Sequence, residues 1–309
     1  MAWARRSTMK LTQVFSRRPL WTVALYRLET PGDIFDLAHR TPEHFFGEQG
    51  LRLSRGYRST TADPFLFEHA GRLYIFFEVK TDFGHGEIWA ESMGADGVWV
   101  SHGCVLAEGF HISYPNVFSD RAGRIYMLPE TAASGKTWLY TTDTFPFNWR
   151  RVGVLLDEIL SDPAMIFTGE GVLLLGTTRR DELKVHAASG PEGPFNPDGQ
   201  LITNDRAISR SGGAPFLVDG KLHRPAQNCT TSYGQNISIM EIDLRGSNEY
   251  REHLVLEDLC PRRQEWMGLG YHHMSLAKFG QDYFLAVDGR RVDKYVNTLL
   301  LAGFKLLRD

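Results

Sequence analysis

Ala62-Asp63-Pro64-Phe65-Leu66-Phe67 does not stand alone in this chain. The same frame returns as Ser113-Tyr114-Pro115-Asn116-Val117-Phe118, Ser161-Asp162-Pro163-Ala164-Met165-Ile166-Phe167, Gly213-Ala214-Pro215-Phe216-Leu217-Val218 and His272-His273-Met274-Ser275-Leu276. From Pro64 to Pro115, Pro163, Pro215 and Met274 the steps are 51, 48, 52 and 59 residues. A period of that length marks propeller blades. Each segment runs into a turn glycine (Gly71, Gly123, Gly171, Gly220, Gly280) and then a second apolar strand such as Leu73-Tyr74-Ile75-Phe76-Phe77. Third strands recur at Ile88-Trp89-Ala90, Trp138-Leu139-Tyr140, Leu183-Lys184-Val185-His186 and Ile237-Ser238-Ile239-Met240. Fourth strands recur at Val105-Leu106-Ala107-Glu108, Val154-Leu155-Leu156-Asp157, Leu201-Ile202-Thr203-Asn204 and Leu254-Val255-Leu256-Glu257. Four strands in each of five repeats predict an all-β fold, a five-bladed β-propeller with blades near 57–109, 110–158, 159–205, 206–258 and 266–309.

The fifth repeat is one strand short after 283–287 and 297–307. A propeller leaves no open edge, so residues 21–28 are expected to close the ring beside the C-terminal segment, with a short connecting helix at 33–39. The remaining composition agrees with one globular domain over 20–309. The chain has 309 residues, 42% of them hydrophobic and 23% charged, which excludes a disordered or low-complexity polymer. Its 34 basic and 37 acidic side chains lack the basic surplus that nucleic acid binding draws on. Cys104, Cys229 and Cys260 are scattered, with no C-x-x-C pair. Residues 1–19, with Arg5, Arg6, Lys10, Arg17 and Arg18, read as a basic flexible N-terminus. No apolar run of signal or membrane-span length follows it, so the expectation is a cytoplasmic protein without a transmembrane segment.

In a propeller the first strand of each blade lines the axis, and its start meets the end of the second strand at one mouth. That rule gathers Asp63, Tyr114, Asp162 and one of His272 or His273. Counting seven residues on from each turn glycine adds Glu78, Glu130, Thr178, Gln227 and Val287. Carboxylates, amide, imidazole and hydroxyl groups beside aromatic faces suit a sugar, and Tyr57, Tyr74, Phe110, Tyr114, Tyr126, Tyr233 and Tyr271 supply such faces. Carboxylates facing one another also hold their pKa values apart, as acid/base work requires. Arg210, Arg224 and Gln227 are placed to hold a phosphate or a sugar carboxylate; the alternative for both arginines is a salt bridge with Glu78 or Glu130. If His272 and His273 share a strand, they point to opposite faces, one to the funnel and one into the packing. His111 with either of them and Asp63 offers imidazole and carboxylate ligands, but no H-x-x-E or H-x-H spacing supports a metal, and no cofactor is expected.

Ala62-Asp63-Pro64 followed by a Gly-x-x-Tyr strand, and Ser161-Asp162-Pro163 two blades later, resemble the five-bladed glycosidases of family 43 and their invertase-like relatives. That resemblance implies Asp63 as general base and Asp162 as the residue that tunes pKa and orients substrate. The family's general acid, a fourth-blade Glu, would fall at Gly213, so that part of the pattern is missing. A longer resemblance runs from about 61 to 288. Ala62-Asp63-Pro64-Phe65, Phe76-Phe77-Glu78, Gly86-Glu87-Ile88, Phe110-His111-Ile112-Ser113-Tyr114-Pro115, Tyr126-Met127-Leu128-Pro129-Glu130, Arg224-Pro225-Ala226-Gln227-Asn228, Tyr233-Gly234 and Gly270-Tyr271-His272-His273 look like the N-terminal propeller of plant glucosamine inositolphosphorylceramide transferases and its bacterial relatives. It implies a glycan or glycolipid context, while the glycosyltransferase domain of the plant enzymes has no counterpart in this chain.

Two classes of function follow. As an enzyme of glycosyl transfer or glycoside hydrolysis, Asp63 is base or nucleophile, Asp162 orients, and Glu130 or Glu78 donates the proton; Tyr114, His111, Arg210, Arg224, Gln227, His272 and His273 bind substrate. As a binding module, the funnel recognises a sugar, oligosaccharide or glycolipid for a separate glycosyltransferase.

Overall fold

A computed structural model describes residues 19–47, 59–81, 84–245 and 249–292. Tyr57, the basic residues of 1–18 and the strand expected at 297–307 lie outside these residues. In chain order the strands are β1 (Pro19–Leu28), β2 (His44–Phe46), β3 (Ser59–His69), β4 (Arg72–Thr81), β5 (Gly86–Met93), β6 (Trp99–Leu106), β7 (Ser113–Ser119), β8 (Ile125–Glu130), β9 (Thr137–Thr141) and β10 (Arg150–Leu156). They continue as β11 (Ser161–Phe167), β12 (Val172–Thr177), β13 (Leu183–Ala188), β14 (Gln200–Thr203), β15 (Arg210–Ser211), β16 (Phe216–Val218), β17 (Lys221–Asn228), β18 (Asn236–Arg245), β19 (Glu249–Leu256), β20 (Met274–Phe279) and β21 (Asp282–Val292). Successive antiparallel sheets β3–β6, β7–β10, β11–β14 and β15–β19 are four blades, and the fifth has the order β2-β1-β21-β20.

The blades form because nearly every inner strand buries both of its faces. Val23 and Leu25 of β1 pack toward the first blade while Ala24, Tyr26 and Leu28 pack toward the fourth. Five apolar clusters result among the described residues, one in each gap between neighbouring blades. The expected clasp is present: β1 pairs with β21 from Pro19↔Val292 to Leu28↔Tyr283. It lies directly beside β21, and the N-terminal segment contributes a second strand as well, β2, whose His44, Phe45 and Phe46 pair with Leu25, Ala24 and Val23. A 3-10 helix over Pro31–His39 joins the two strands, started by the Asp33 carboxylate, which accepts the Glu29 and Thr30 backbone N–H groups at 3.0 and 2.9 Å.

Candidate functional site

Three first strands carry the same irregularity where they reach the mouth. The register slips by one residue between Ala62 and Phe65, Ser113 and Asn116, and Ser161 and Ala164. The displaced residues Asp63, Tyr114 and Asp162 have φ of 53°, 52° and 49°, a region that side chains other than glycine enter only under constraint. Each is a bulge that turns a side chain from the interblade packing toward the axis. In the fourth blade the first strand is split into β15 and β16, and Gly213 stands between them with φ 143°. A Cβ there would lie 2.0 Å from the Met274 carbonyl oxygen, so backbone fills the place where the family-43 pattern expects its Glu.

The bulges converge on two linked groups. In one, Asp162 Oδ2 accepts from Arg210 Nε at 2.5 Å and Gln227 Nε2 at 2.8 Å. The Asp162 backbone N–H donates to Glu130 Oε2 at 3.1 Å, and Arg210 Nη2 lies 3.5 Å from the same oxygen. In the other, His272 Nδ1 lies 2.7 Å from Asp288 Oδ2, and its Nε2 lies 3.5 Å from Asp63 Oδ1. Asp288 also accepts backbone N–H groups from Asp63, His272 and His273, which ties the first blade to the fifth. Trp21 stacks on His272 at 4.1 Å, and Tyr233, nearly half exposed, meets the same imidazole edge-on at 5.0 Å while Arg210 lies over its ring. Gly234 permits that approach, since a Cβ on it would lie 2.7 Å from the Trp21 ring and 2.9 Å from His272 Cβ.

Burial sets the charges. It pushes the Asp63 carboxyl well above the usual range, against the pull of His272 and with the help of the carboxylates around it. Glu78 is pushed up to about 7 and Glu130 to about 8, in each case first by burial. Asp162 and Asp288 feel the same burial, yet Arg210 holds one and His272 the other below the usual carboxylate range. His272 is raised in turn, because Asp288 and Asp63 outweigh its burial. The mouth therefore holds ionised and protonated carboxyl groups side by side.

The other candidates divide. Glu78 lies 3.5 Å from His111 Nε2, with Oε1 buried and lacking a hydrogen-bond partner. His111 accepts the Gly86 N–H at Nδ1, and burial brings its pKa down to about 4. The Tyr114 hydroxyl accepts the Gly213 N–H at 3.1 Å, and the Tyr114 N–H donates to Asp63, so this side chain braces the axis beneath the mouth. His273 packs against Phe65 and Tyr114 with neither ring nitrogen hydrogen-bonded, and burial brings it down to about 3. Arg224 stands apart from the cluster: fully buried, it forms a bidentate pair with Glu252 at 2.5 and 2.8 Å. Thr178 hydrogen-bonds to Glu182. The count of seven lands on Val287, which packs in an interblade core, and misses Asp288. The turn explains this: Phe279 pairs with Asp282, so Gly280 takes the first turn position, whereas Gly71 takes the second between His69 and Arg72. Trp21 is likewise a wall of the mouth that the sequence presents only as part of the clasp.

Asp63, His272 and Asp288 form a metal-ligand type grouping among the described residues, with ligand atoms within 4.8 Å of one another. Their donor atoms are already engaged, His272 by Asp288 and Asp288 by three backbone N–H groups, so a cation there would have to displace that pairing. His111 takes no part in it.

Among known proteins, the family described as glucosamine inositolphosphorylceramide transferase 1, N-terminal, matches residues 53–290. Glucosamine inositolphosphorylceramide transferase 1 of Arabidopsis thaliana is 34% identical over 248 residues, 75% of this chain and 32% of that protein. The protein of the same name from Oryza sativa subsp. indica is 32% identical over 259 residues, 77% of this chain and 34% of its own. This chain thus spans about a third of the length of these relatives. Among solved structures, a putative glycosidase from Bacteroides thetaiotaomicron superposes with a TM-score of 0.57 at 9% identity, covering 78% of this chain and 88% of that one. A family 43 β-xylosidase/α-arabinofuranosidase from a compost metagenome, in complex with xylotriose, gives 0.54 at 14% identity, covering 74% and 90%. These two share the five-bladed fold.

Proposed function

The chain belongs to the glucosamine inositolphosphorylceramide transferase 1 N-terminal family, and from that membership we propose that it is a carbohydrate-active protein whose axial mouth acts on a glycosidic linkage, by transfer or hydrolysis, in glycan or glycolipid metabolism. The observation that carries this reading is the separation of protonation states within one mouth. Asp162 is held ionised by Arg210, while Glu130 is pushed up to about 8 and Glu78 to about 7. Pairs of carboxyl groups whose environments drive them apart are the working parts of acid/base catalysis at a sugar. Glu130 gives its proton to the departing glycosidic oxygen, with Glu78 the second candidate donor. Asp63 takes the proton of the attacking water or hydroxyl as the new C–O bond forms at the anomeric carbon. Burial pushes the Asp63 carboxyl up, so the base role depends on His272, 3.5 Å away, whose positive charge favours the ionised form. Asp162, clamped by Arg210 and Gln227, orients the ligand.

The test is a product screen against aryl glycosides, nucleotide sugars and oligosaccharides, with Asp63→Asn and Glu130→Gln in parallel. The expected result is turnover that drops by a factor of about 100 or more in both variants. Turnover unchanged by either variant would remove that residue from the chemistry. A second reading, a glycan-binding domain that serves a glycosyltransferase, is favoured by the backbone filling at Gly213. Ligand-induced stabilisation without turnover of any probe would decide for it.

A further inference from the structure

Both ends of the described chain leave the ring at one place. β1 starts at Pro19, β21 ends at Val292, and these two residues are paired. That place is the rim of the axial mouth: Val292 stands four residues beyond Asp288, about 13 Å further along the strand, and Trp21 near the start of β1 stacks on His272. Residues 1–18 and 293–309 are therefore attached side by side above the candidate site.

Their composition sets them apart. Residues 1–18 carry Arg5, Arg6, Lys10, Arg17 and Arg18 with no acidic side chain, whereas the rest of the chain holds 29 basic against 37 acidic. Among those cations stand Trp3, Met9, Leu11, Val14 and Phe15. Residues 293–309 add Leu299, Leu300, Leu301, Phe304, Leu306 and Leu307. Cations mixed with tryptophan, phenylalanine and leucine, without the unbroken apolar length that spanning requires, suit segments that lie in the interface of a bilayer. Nucleic acid would draw on the cations and leave the apolar side chains of 299–307 without a role. The described rim has the same character. Tyr233 and Leu269 are large apolar side chains left 45% and 41% exposed. Their loops touch, since a Cβ on Gly270 would lie 2.1 Å from the Gly234 carbonyl oxygen. The Leu269 N–H donates to the Arg290 carbonyl at 2.8 Å, and Tyr233 meets Trp21 edge-on at 6.2 Å, so both adjoin the paired strand ends. Arg290 and Arg291, each partly exposed, place positive charge at the same point.

We infer that the face bearing the mouth docks on an anionic lipid surface, with residues 1–18 supplying the charge, 293–309 adjoining apolar side chains, and Tyr233 and Leu269 the described apolar contacts. The funnel then opens toward the plane of the lipid head groups, and a ligand enters it from that plane. This docking does not depend on the carbohydrate reading of the mouth, and vesicles that hold no glycolipid test it separately.

The experiment is co-sedimentation of the full chain with phosphatidylcholine vesicles, either pure or containing about 30% phosphatidylserine. Binding is expected to be about 10-fold or more tighter to the anionic vesicles and to fall away at about 1 M salt. Replacing Arg5, Arg6, Lys10, Arg17 and Arg18 together by Gln is expected to weaken it about 100-fold or more, since each cation beside an anionic leaflet strengthens binding about 5-fold. Leu269→Asp and Phe304→Asp are each expected to weaken it about 5-fold. Leu217→Asp changes a more exposed leucine, in the β16–β17 hairpin at the opposite end of the fourth blade, and is expected to leave binding unchanged. Should Leu269→Asp fail to fold, Leu269→Asn carries the comparison. Equal binding to both kinds of vesicle, or to neither, overturns the docking and leaves the carbohydrate reading standing. Anionic binding indifferent to the five cations, or weakened as much by Leu217→Asp as by Leu269→Asp, overturns it as well.

Discussion

The buried pair of Asp288 and His272 has a pH dependence that follows from the direction of each shift. Asp288 is lowered, so its contribution is present above its ordinary 3.8 and disappears as pH falls through the lower folded value. His272 is raised, so its contribution is complete below its ordinary 6.5 and disappears as pH rises through the higher folded value. Asp288→Asn should therefore cost most near pH 5, about 3 kcal/mol in a urea melt, and less at pH 9. Equal cost at both pH values would show that the carboxylate matters for its backbone hydrogen bonds alone. Glu130 behaves oppositely, because an acid pushed up to about 8 opposes folding once it ionises. The melting temperature should decline as pH rises from about 4.5 to about 8, and Glu130→Gln should flatten that decline. Asp63, Asp162, Glu78, Glu130 and Gln227 were legible because they sit at fixed offsets within a repeat. Asp288 was not, since one shifted turn glycine moves the offset by one residue and exchanges a core position for an axial one. Glu130 was legible as a partner of Arg210, but Asp162 and Glu252, 48 and 28 residues away from Arg210 and Arg224, were hidden.

Among the elements, the fifth blade depends most on distant sequence. Leu25 of β1 is buried in the gap between the fifth and first blades, and Leu25→Ala should destabilise by about 3 kcal/mol in the same urea melt. An effect below about 1 kcal/mol would mean that the clasp frays at no cost to the ring. Gly213 is the tight point between the fourth and fifth blades. Gly213→Glu should lower the melting temperature sharply instead of supplying the family-43 acid, because its Cβ would meet the Met274 carbonyl oxygen before the carboxylate could reach the mouth. A folded, newly hydrolytic variant would refute this account. The clasp strand was readable as the missing member of an otherwise regular series. The second N-terminal strand was not, since His44–Phe46 is three residues long and lies outside any repeat.

For the whole molecule, the five interblade clusters form a ring in which each blade is flanked on both sides. Removing residues 19–28 takes a strand out of the fifth blade, strips β2 of its partner and exposes both of the clusters that β1 fills. Calorimetry should then show the entire transition shifted to lower temperature; a separate early transition of the fifth blade would mean that the blades melt independently. The pairing of Pro19–Leu28 with Asp282–Val292 also has a consequence in time. On a ribosome, the first of these strands emerges long before its partner exists. At about 5 to 20 residues per second, β1 waits on the order of tens of seconds with its apolar faces unmatched. Four blades can assemble in order of synthesis, but closing the fifth is a search by the first described strand for the last. A protein built this way should fold late and as a whole, and during that interval it is a natural client for chaperones that shield exposed strands.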